Sequence, residues 1–404
     1  MIQKAKGTRD FFGQEAVLRY NLITFFVDFA QKLGFVPLDT PIFESTELFK
    51  RSVGSTSDIV QKELFYLDSD SKKAYALRPE LTAGVVRALI EKGIKSMPKP
   101  INVYTVGSVY RYEKPQKGRY REFIQFDLNS FRDQEPLFDA FLIASAYRLL
   151  TESIGCELKV YLNSLGSVQT KQKYSQSLLE KLSKNKDILC KDCQARLVRN
   201  PLRILDCKAG CKDKVGAIKP ISDFLTKEEK HYFNEVTSFL DDTGVKYELD
   251  PTLMRGLDYY TSIIFEIALE SDKSRSSVIC GGGRFDNLVS SLGGPTVGAI
   301  GLGIGLDRLA EKITTKNKPP QKDFFISPIS KTYLKISYKL AINLSKSKSI
   351  SIANSYNLQD SLNYALKNNF KNIIIVGEET KDNMVVIKNL INNTQKKVKI
   401  DSLK

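Results

Sequence analysis

Two apolar, β-rich runs, Ile101–Glu113 and Glu122–Phe131, are joined by the basic stretch Lys114-Pro115-Gln116-Lys117-Gly118-Arg119-Tyr120-Arg121. Pro and Gly interrupt the strand pattern between them, so the two runs read as an antiparallel pair closed by a basic loop. A pair of this length commits the surrounding chain to an antiparallel sheet, and the flanking sequence supplies helices for it. Leu18, Leu22, Phe25, Phe26, Phe29 and Leu33 recur at helical spacing, which predicts an amphipathic helix over roughly 15–33. Gly34 ends that helix, and Phe35–Glu44 continues as an extended segment containing Pro37 and Pro41.

Further along, a helix is expected at about 135–154 and a strand at about 156–164. Residues 167–245 are charged and mostly helical and look like an insertion. Strands resume at 255–269 and 276–281, and Val297–Leu309 runs as a glycine-spaced strand into a helix. Lys316–Lys322 reads as a linker. Beyond it Phe324–Ser327, a helix and Asn372–Gly377 suggest a small α/β domain, placing the domain boundary between 320 and 321. No internal repeat is apparent.

At 404 residues with 42% hydrophobic and 26% charged side chains, the composition is that of a soluble globular protein of two or three domains. No apolar run approaches the ~20 residues that span a bilayer, and residues 1–10 lack the apolar core of a secretory signal, so a cytoplasmic protein is expected. The net charge of +15 suggests a polyanionic partner, although a Lys- and Asn-rich composition could produce it alone. Its distribution is more telling. Residues 321–404 hold 14 Lys, no Arg and six acids, a net +8, whereas the last of the 17 arginines is Arg308.

His231 is the only histidine. It lies in a lysine- and acid-rich stretch and reads as a solvated helix residue, so zincin-type metal sites are excluded and a Ser-His-Asp triad is conceivable only around it. Six cysteines with no export signal are expected to be reduced. Four of them, Cys190, Cys193, Cys207 and Cys211, form a C-x2-C and a C-x3-C pair, 13 residues apart. That layout could hold a structural zinc on four thiolates, but the second pair is one residue wide of the usual spacing and free cysteines are the preferred reading. Cys156 and Cys280 read as small core residues.

Four motifs carry chemistry. Arg111-Tyr112-Glu113 with Arg119-Tyr120-Arg121-Glu122-Phe123 places several guanidinium groups beside the basic loop. Arg255-Gly256-Leu257-Asp258-Tyr259-Tyr260-Thr261 joins a fixed cation, an acid and two phenols, which suits a small ligand with a negative end and a hydrogen-bonding ring. Cys280-Gly281-Gly282-Gly283-Arg284-Phe285-Asp286 and Gly301-x-Gly303-x-Gly305-Leu306-Asp307-Arg308 are glycine-rich. The GxGxG spacing near a domain end does not match the GxGxxG that opens a dinucleotide-binding unit.

Together these stretches resemble the motifs of histidyl-tRNA synthetases, a class II aminoacyl-tRNA synthetase family, over nearly the whole chain. The resemblance implies an α+β fold: an antiparallel catalytic sheet flanked by helices over 1–320, a helical insertion at about 167–245, and a C-terminal α/β anticodon-binding domain at 321–404. It implies ATP and Mg²⁺ as cosubstrates, L-histidine and tRNA-His as partners, and a homodimer formed through the helix and strand of 15–44, although a buried helix and edge strand fit that pattern equally. Arg111 and Arg255 would then be catalytic, on opposite sides of the α-phosphate of ATP. Positioned guanidinium groups suit that role because negative charge builds on the phosphoryl group in the transition state.

By the same resemblance Glu113, Arg119, Arg121, Phe123 and Arg308 bind ATP, and Gln116, Lys117 and Arg119 lie near the tRNA acceptor end. Glu80, Thr82, Gln125, Asn129, Tyr259, Tyr260 and Phe285 join Arg111 and Arg255 around histidine. Two positions depart from the family. Asn129 replaces an acid and Phe285 replaces a tyrosine. An acid beside an imidazole stabilises its protonated form, so Asn129 implies binding of the neutral ring with weaker discrimination. Those departures leave open a histidine-sensing regulatory subunit of histidine biosynthesis, or a non-catalytic RNA-binding paralogue.

Overall fold

The structure, a computed structural model, describes residues 2–54, 57–67, 75–115, 119–207, 209–214, 218–272, 278–313 and 321–403. The chain divides into two compact units, Met1–Thr315 and Lys316–Lys404.

An eight-stranded sheet organises the first unit. Its strands are β1 (Val36–Pro37), β2 (Ile101–Tyr110), β3 (Glu122–Phe131), β4 (Leu158–Ser164), β5 (Tyr247–Leu249), β6 (Thr261–Leu269), β7 (Cys280–Arg284) and β8 (Ala299–Gly305). They lie in the order β1-β2-β3-β8-β7-β6-β4-β5, with parallel pairing only at the outermost pairs β1/β2 and β4/β5. The pair expected from sequence is present, in register from Ile101 opposite Phe131 to Tyr110 opposite Glu122.

Side chains alternate between faces along a strand, and here that alternation separates core from site. Phe126 and Leu128 of β3, Ile263, Phe265 and Ile267 of β6, and Ile300, Leu302 and Ile304 of β8 share one apolar cluster. Leu22 and Phe26 of helix α1 (Gln14–Lys32), Leu142, Ile143 and Leu149 of α2 (Pro136–Ile154), and Val236 and Leu240 of the later helix Lys227–Asp242 complete it. The intervening positions, Gln125, Asp127 and Asn129 on β3 and Gly301 and Gly303 on β8, therefore belong to the opposite face. That explains the GxGxG run: as a strand, it puts every glycine on one side.

Helix α2 starts on Glu135, whose carboxylate accepts from the Leu137 and Phe138 amides, and stops at Gly155 in the left-handed region (φ 68°). The insertion contributes α3 (Val168–Ser183), α4 (Lys191–Arg199) and α5 (Lys227–Asp242), the last opened by a Thr226/Glu229 capping box. His231 sits on α5 with its ring 77% exposed, as its neighbours predicted. Arg255–Tyr260, expected as strand, is instead an irregular loop, and the ladder begins at Thr261. Cys156 lies in a bend and is only partly buried; Cys280 is a buried strand residue.

The second unit is built on a mixed five-stranded sheet. Strands β9 (Lys322–Pro328), β10 (Ile350–Ile352), β11 (Phe370–Val376), β12 (Met384–Asn389) and β13 (Gln395–Lys399) lie in the order β10-β9-β11-β12-β13. β9 is parallel to both its neighbours, and β11, β12 and β13 are antiparallel. Helix Leu334–Leu344 packs Leu340 and Leu344 against Ile326, Ile374 and Val385. The expected linker residues 316–320 lie outside the described residues.

Candidate active site

Glu80 precedes the helix Thr82–Glu91 and accepts from the Thr82 and Ala83 amides at 2.7 and 2.8 Å. It is buried, and that burial raises its pKa; the two amides offset only part of the cost. Beside it, Thr82 Oγ1 lies 3.4 Å from Asp127 Oδ2, and Gln125 Nε2 donates to Asp127 Oδ1 at 2.8 Å. Asp127 is 1% exposed, and burial, reinforced by the charge of Glu80, pushes its pKa to about 8. Two neighbouring buried carboxyl groups, with no ion pair to either among the described residues and only the charge of Arg111 acting on them, suit a positive group. Sequence reasoning missed Asp127, although its place two residues after Gln125 and two before Asn129 on one strand was the available signal.

The Arg255 loop supplies a cation beside Tyr260. Arg255 Nη1 pairs with Glu266 Oε1 at 2.5 Å, while its Nε is buried with no hydrogen-bond partner among the described residues. Burial alone would lower the pKa of Arg255; Tyr260 and Glu266 more than compensate and hold it charged. Its guanidinium lies 5.7 Å from the ring of the buried Tyr260 and across Gly281, where a Cβ would come within 2.1 Å of Nη1. Glu266 was also missed; a lone acid in an apolar strand carried no motif.

The Arg255 loop is held from the insertion. Lys171 Nζ donates to the Asp258 and Tyr260 carbonyls (both 3.1 Å), Arg203 Nη1 to the Arg255 carbonyl (2.7 Å), and Asn200 Nδ2 to Asp258 Oδ1 (3.0 Å). These bonds replace a strand ladder and account for the irregular backbone there.

Tyr259 and Tyr260 pack with centroids 4.8 Å apart and rings tilted by 50°, and Tyr259 meets Phe285 edge-on at 5.7 Å. Burial raises the pKa of both phenols. Asn129 is 1% exposed, and its Nδ2 is buried with no partner among the described residues. A Cβ on Gly301 would strike Asn129 Oδ1 at 2.6 Å and Phe285 Cε1 at 3.1 Å; one on Gly303 would strike Asp127 Oδ1 at 2.9 Å and Gln125 Nε2 at 3.0 Å. The glycines thus make room for the chain's own polar side chains, rather than for ligand alone. Phe285 is 2% exposed and serves as an apolar wall between Tyr259 and Phe131. Arg284 is fully buried, bonded to Asp139 Oδ1 (2.8 Å) and Asp286 Oδ1 (2.6 Å), and so braces the signature from behind.

Arg111 donates through Nε to the Pro79 carbonyl (3.0 Å) and lies 5.3 Å from the Phe123 ring. Arg119 pairs with Glu113 at 3.1 Å. Arg308 donates to the Val278 carbonyl at 2.6 Å, and burial together with the nearby charge of Arg119 lowers its pKa. Crowded guanidinium groups that disfavour each other's charge are a receptor for a polyanion. Arg121 is directed elsewhere: it stacks 4.0 Å from Tyr112 and donates to the Glu113 and Lys6 carbonyls. Gln116 and Lys117 lie outside the described residues.

The first unit thus carries buried acids suited to a cation, a part-buried Arg suited to an anion, phenol and amide groups suited to a ring, and an arginine cluster suited to phosphates. The family model for histidyl-tRNA synthetase matches residues 7–309. The chain belongs to the histidyl-tRNA synthetase family. Among curated relatives, histidine–tRNA ligase of Caldicellulosiruptor bescii is 37% identical over 100% of this chain and 97% of its own length. That of Campylobacter hominis is 37% identical over 99% and 98%. Among solved structures, apo Staphylococcus aureus histidyl-tRNA synthetase superposes with a TM-score of 0.81 at 28% identity, covering 100% of this chain and 98% of the other. Full-length matches of this kind disfavour the regulatory and non-catalytic alternatives. As a histidyl-tRNA synthetase the chain is an aminoacyl-tRNA ligase, and the family uses ATP.

Proposed function

We propose that this chain joins L-histidine to tRNA-His in two steps at this site. The observation that carries the reading is the buried Glu80–Asp127 pair, whose acids also bear on the neighbouring Tyr259, together with the part-buried Arg255 beside Tyr260, a complement to an amino-acid zwitterion. The α-ammonium group is received by Glu80, Asp127, Thr82 and Gln125, and it repays the desolvation of both acids. The ring lies against Tyr259 and Tyr260, with Phe285 backing Tyr259. Asn129 Nδ2 donates to the unprotonated ring nitrogen, so the imidazole is bound neutral.

In step one a carboxylate oxygen of histidine attacks the α-phosphorus of ATP, the bond to the bridging oxygen of the β-phosphate breaks, and diphosphate leaves. Arg111 and Arg255 stabilise charge on the α-phosphoryl oxygens. Phe123 supports the adenine ring and Glu113 accepts from its amino group. Arg119 and Arg308 hold the outer phosphates, where a bound Mg²⁺ would offset further negative charge; Arg121 braces the loop through the Glu113 and Lys6 carbonyls. In step two the terminal ribose hydroxyl of tRNA attacks the adenylate carbonyl and AMP leaves, with Gln116, Lys117 and Arg119 near the acceptor end.

The lysine-rich second unit suits the anticodon stem, through salt-dependent phosphate contacts with base-edge contacts for specificity. Tyr20 on α1, and Val36, Ile42 and Phe43 in the following segment, are 48–71% exposed, which supports a homodimer through this region. No helix among the described residues is long and apolar enough to cross a membrane, and substrates such as ATP and tRNA suit the cytoplasm. Histidine-dependent ATP–diphosphate exchange tests the assignment: exchange with histidine is expected, and exchange with another amino acid instead would overturn it. Sedimentation velocity tests the dimer.

A further inference from the structure

The four paired cysteines, separated by up to 21 residues, converge. Cys190 stands at the N-terminus of α4, Cys193 lies within it, Cys207 follows the 3-10 turn Pro201–Ile204, and Cys211 opens the short helix Cys211–Lys214. Their sulfur atoms all lie within 4.8 Å of one another, and Cys190 and Cys207 are 3.8 Å apart. A tetrahedral zinc with Zn–S bonds of about 2.3 Å requires sulfur–sulfur edges of about 3.8 Å. A disulfide needs about 2.05 Å between its sulfurs, and a pairwise bond would leave the other two thiols stranded beside it. The extra residue of the second pair, which counted against a metal in the sequence, is absorbed by Gly210 in the left-handed region (φ 66°). The Cys190 amide donates to Cys211 Sγ at 3.3 Å, a bond that favours a thiolate there.

We propose that Cys190, Cys193, Cys207 and Cys211 bind one structural Zn²⁺ as a closed tetrathiolate. Binding displaces four thiol protons and involves no redox change. The segment between Cys193 and Cys207 supplies two of the side chains that grip the active-site loop, alongside Lys171. Arg203 holds the Arg255 carbonyl, Asn200 holds Asp258, and Arg196 spans Asp58 (2.5 Å) and the Arg203 carbonyl (3.3 Å). The metal therefore fixes the clamp that positions Arg255 without touching substrate. Metal binding itself is independent of the proposed reaction; only this positioning effect rests on it.

The test uses the full chain purified without chelator. Elemental analysis should give about one zinc per chain, released in step with mercurial titration of four thiols. The protein loaded with Co²⁺ should show the thiolate charge-transfer and intense d–d bands of a tetrahedral tetrathiolate. Cys193→Ser should lose the bands and the metal, and its 190–214 segment should become sensitive to protease; if that variant does not fold, metal content and Co²⁺ spectra of the unsubstituted chain decide. Zinc removal should raise the KM for histidine and lower the exchange rate at least several-fold, with recovery on re-addition. Absence of stoichiometric metal with four free thiols, a disulfide among these cysteines, or iron in place of zinc would each overturn the proposal.

Discussion

Gly281 offers a way to move Arg255 without changing it. A Cβ there would lie 2.1, 2.3 and 2.4 Å from Arg255 Nη1, Cζ and Nη2, so the whole guanidinium would have to withdraw by more than 1 Å. It cannot do so and keep its 2.5 Å ion pair with Glu266. Loss of one positioned donor to a developing oxyanion typically costs about 10²- to 10³-fold in kcat, or ~2.7–4 kcal/mol. Gly281→Ala should therefore fold, with an unchanged far-UV spectrum, and lose about that factor in histidine-dependent exchange. A double-mutant cycle separates displacement of Arg255 from general damage. Arg255→Ala should show a similar loss, and adding Gly281→Ala to it should cost little more. Gly282→Ala is the contrasting control, because its Cβ would meet the Gly301 carbonyl at 2.4 Å between central strands and should impair folding itself. Exchange by Gly281→Ala within about threefold of the parent, or full additivity with Arg255→Ala, would refute the placement of Arg255 at the α-phosphate.

Asp127→Asn should raise the KM for histidine by roughly tenfold or more, since a hydrogen bond to a charged group contributes about 1.5–3 kcal/mol. The folded-state pKa of Asp127 is about 8 against 3.8 in the reference state, so its charging costs the folded protein more as pH rises through that window. The substituted protein should gain stability over the parent from pH 5 to 8 in urea titrations, and histidine binding to the parent near pH 7 should release protons, measurable by calorimetry in buffers of different ionisation enthalpy. With neutral imidazole bound beside Asn129, the KM for histidine should rise below pH ~6.5, where the free ring protonates; Asn129→Asp should flatten that rise, and superimposable profiles would exclude it. Arg284→Met leaves Asp139 and Asp286 facing each other in the core and should cost ~3–5 kcal/mol by denaturant titration, with near-parental activity per folded molecule.

The central strand pair was legible because Ile101–Tyr110 and Glu122–Phe131 are apolar, β-rich runs separated by Pro and Gly. The site was legible where residues were contiguous, as in Arg111–Glu113 and Arg255–Thr261. Asp127 was hidden because a single acid on a strand is noticed only when its face is known. Glu266, Lys171 and Arg203 were hidden for a different reason: each acts through a partner brought close by the fold, 11 to 89 residues away. The strand expected over 255–260 failed because apolar and aromatic content cannot reveal that its carbonyls are claimed by Lys171 and Arg203. The convergence of the four cysteines was not legible from spacing alone, since spacing does not report a left-handed glycine such as Gly210 between the second pair.

The most direct test is attachment of labelled histidine to tRNA-His by the purified chain in ATP and Mg²⁺. Acid-precipitable label should rise in proportion to enzyme, and Arg111→Ala should abolish it. No charging with histidine, or charging of tRNA with a different amino acid, would contradict the account.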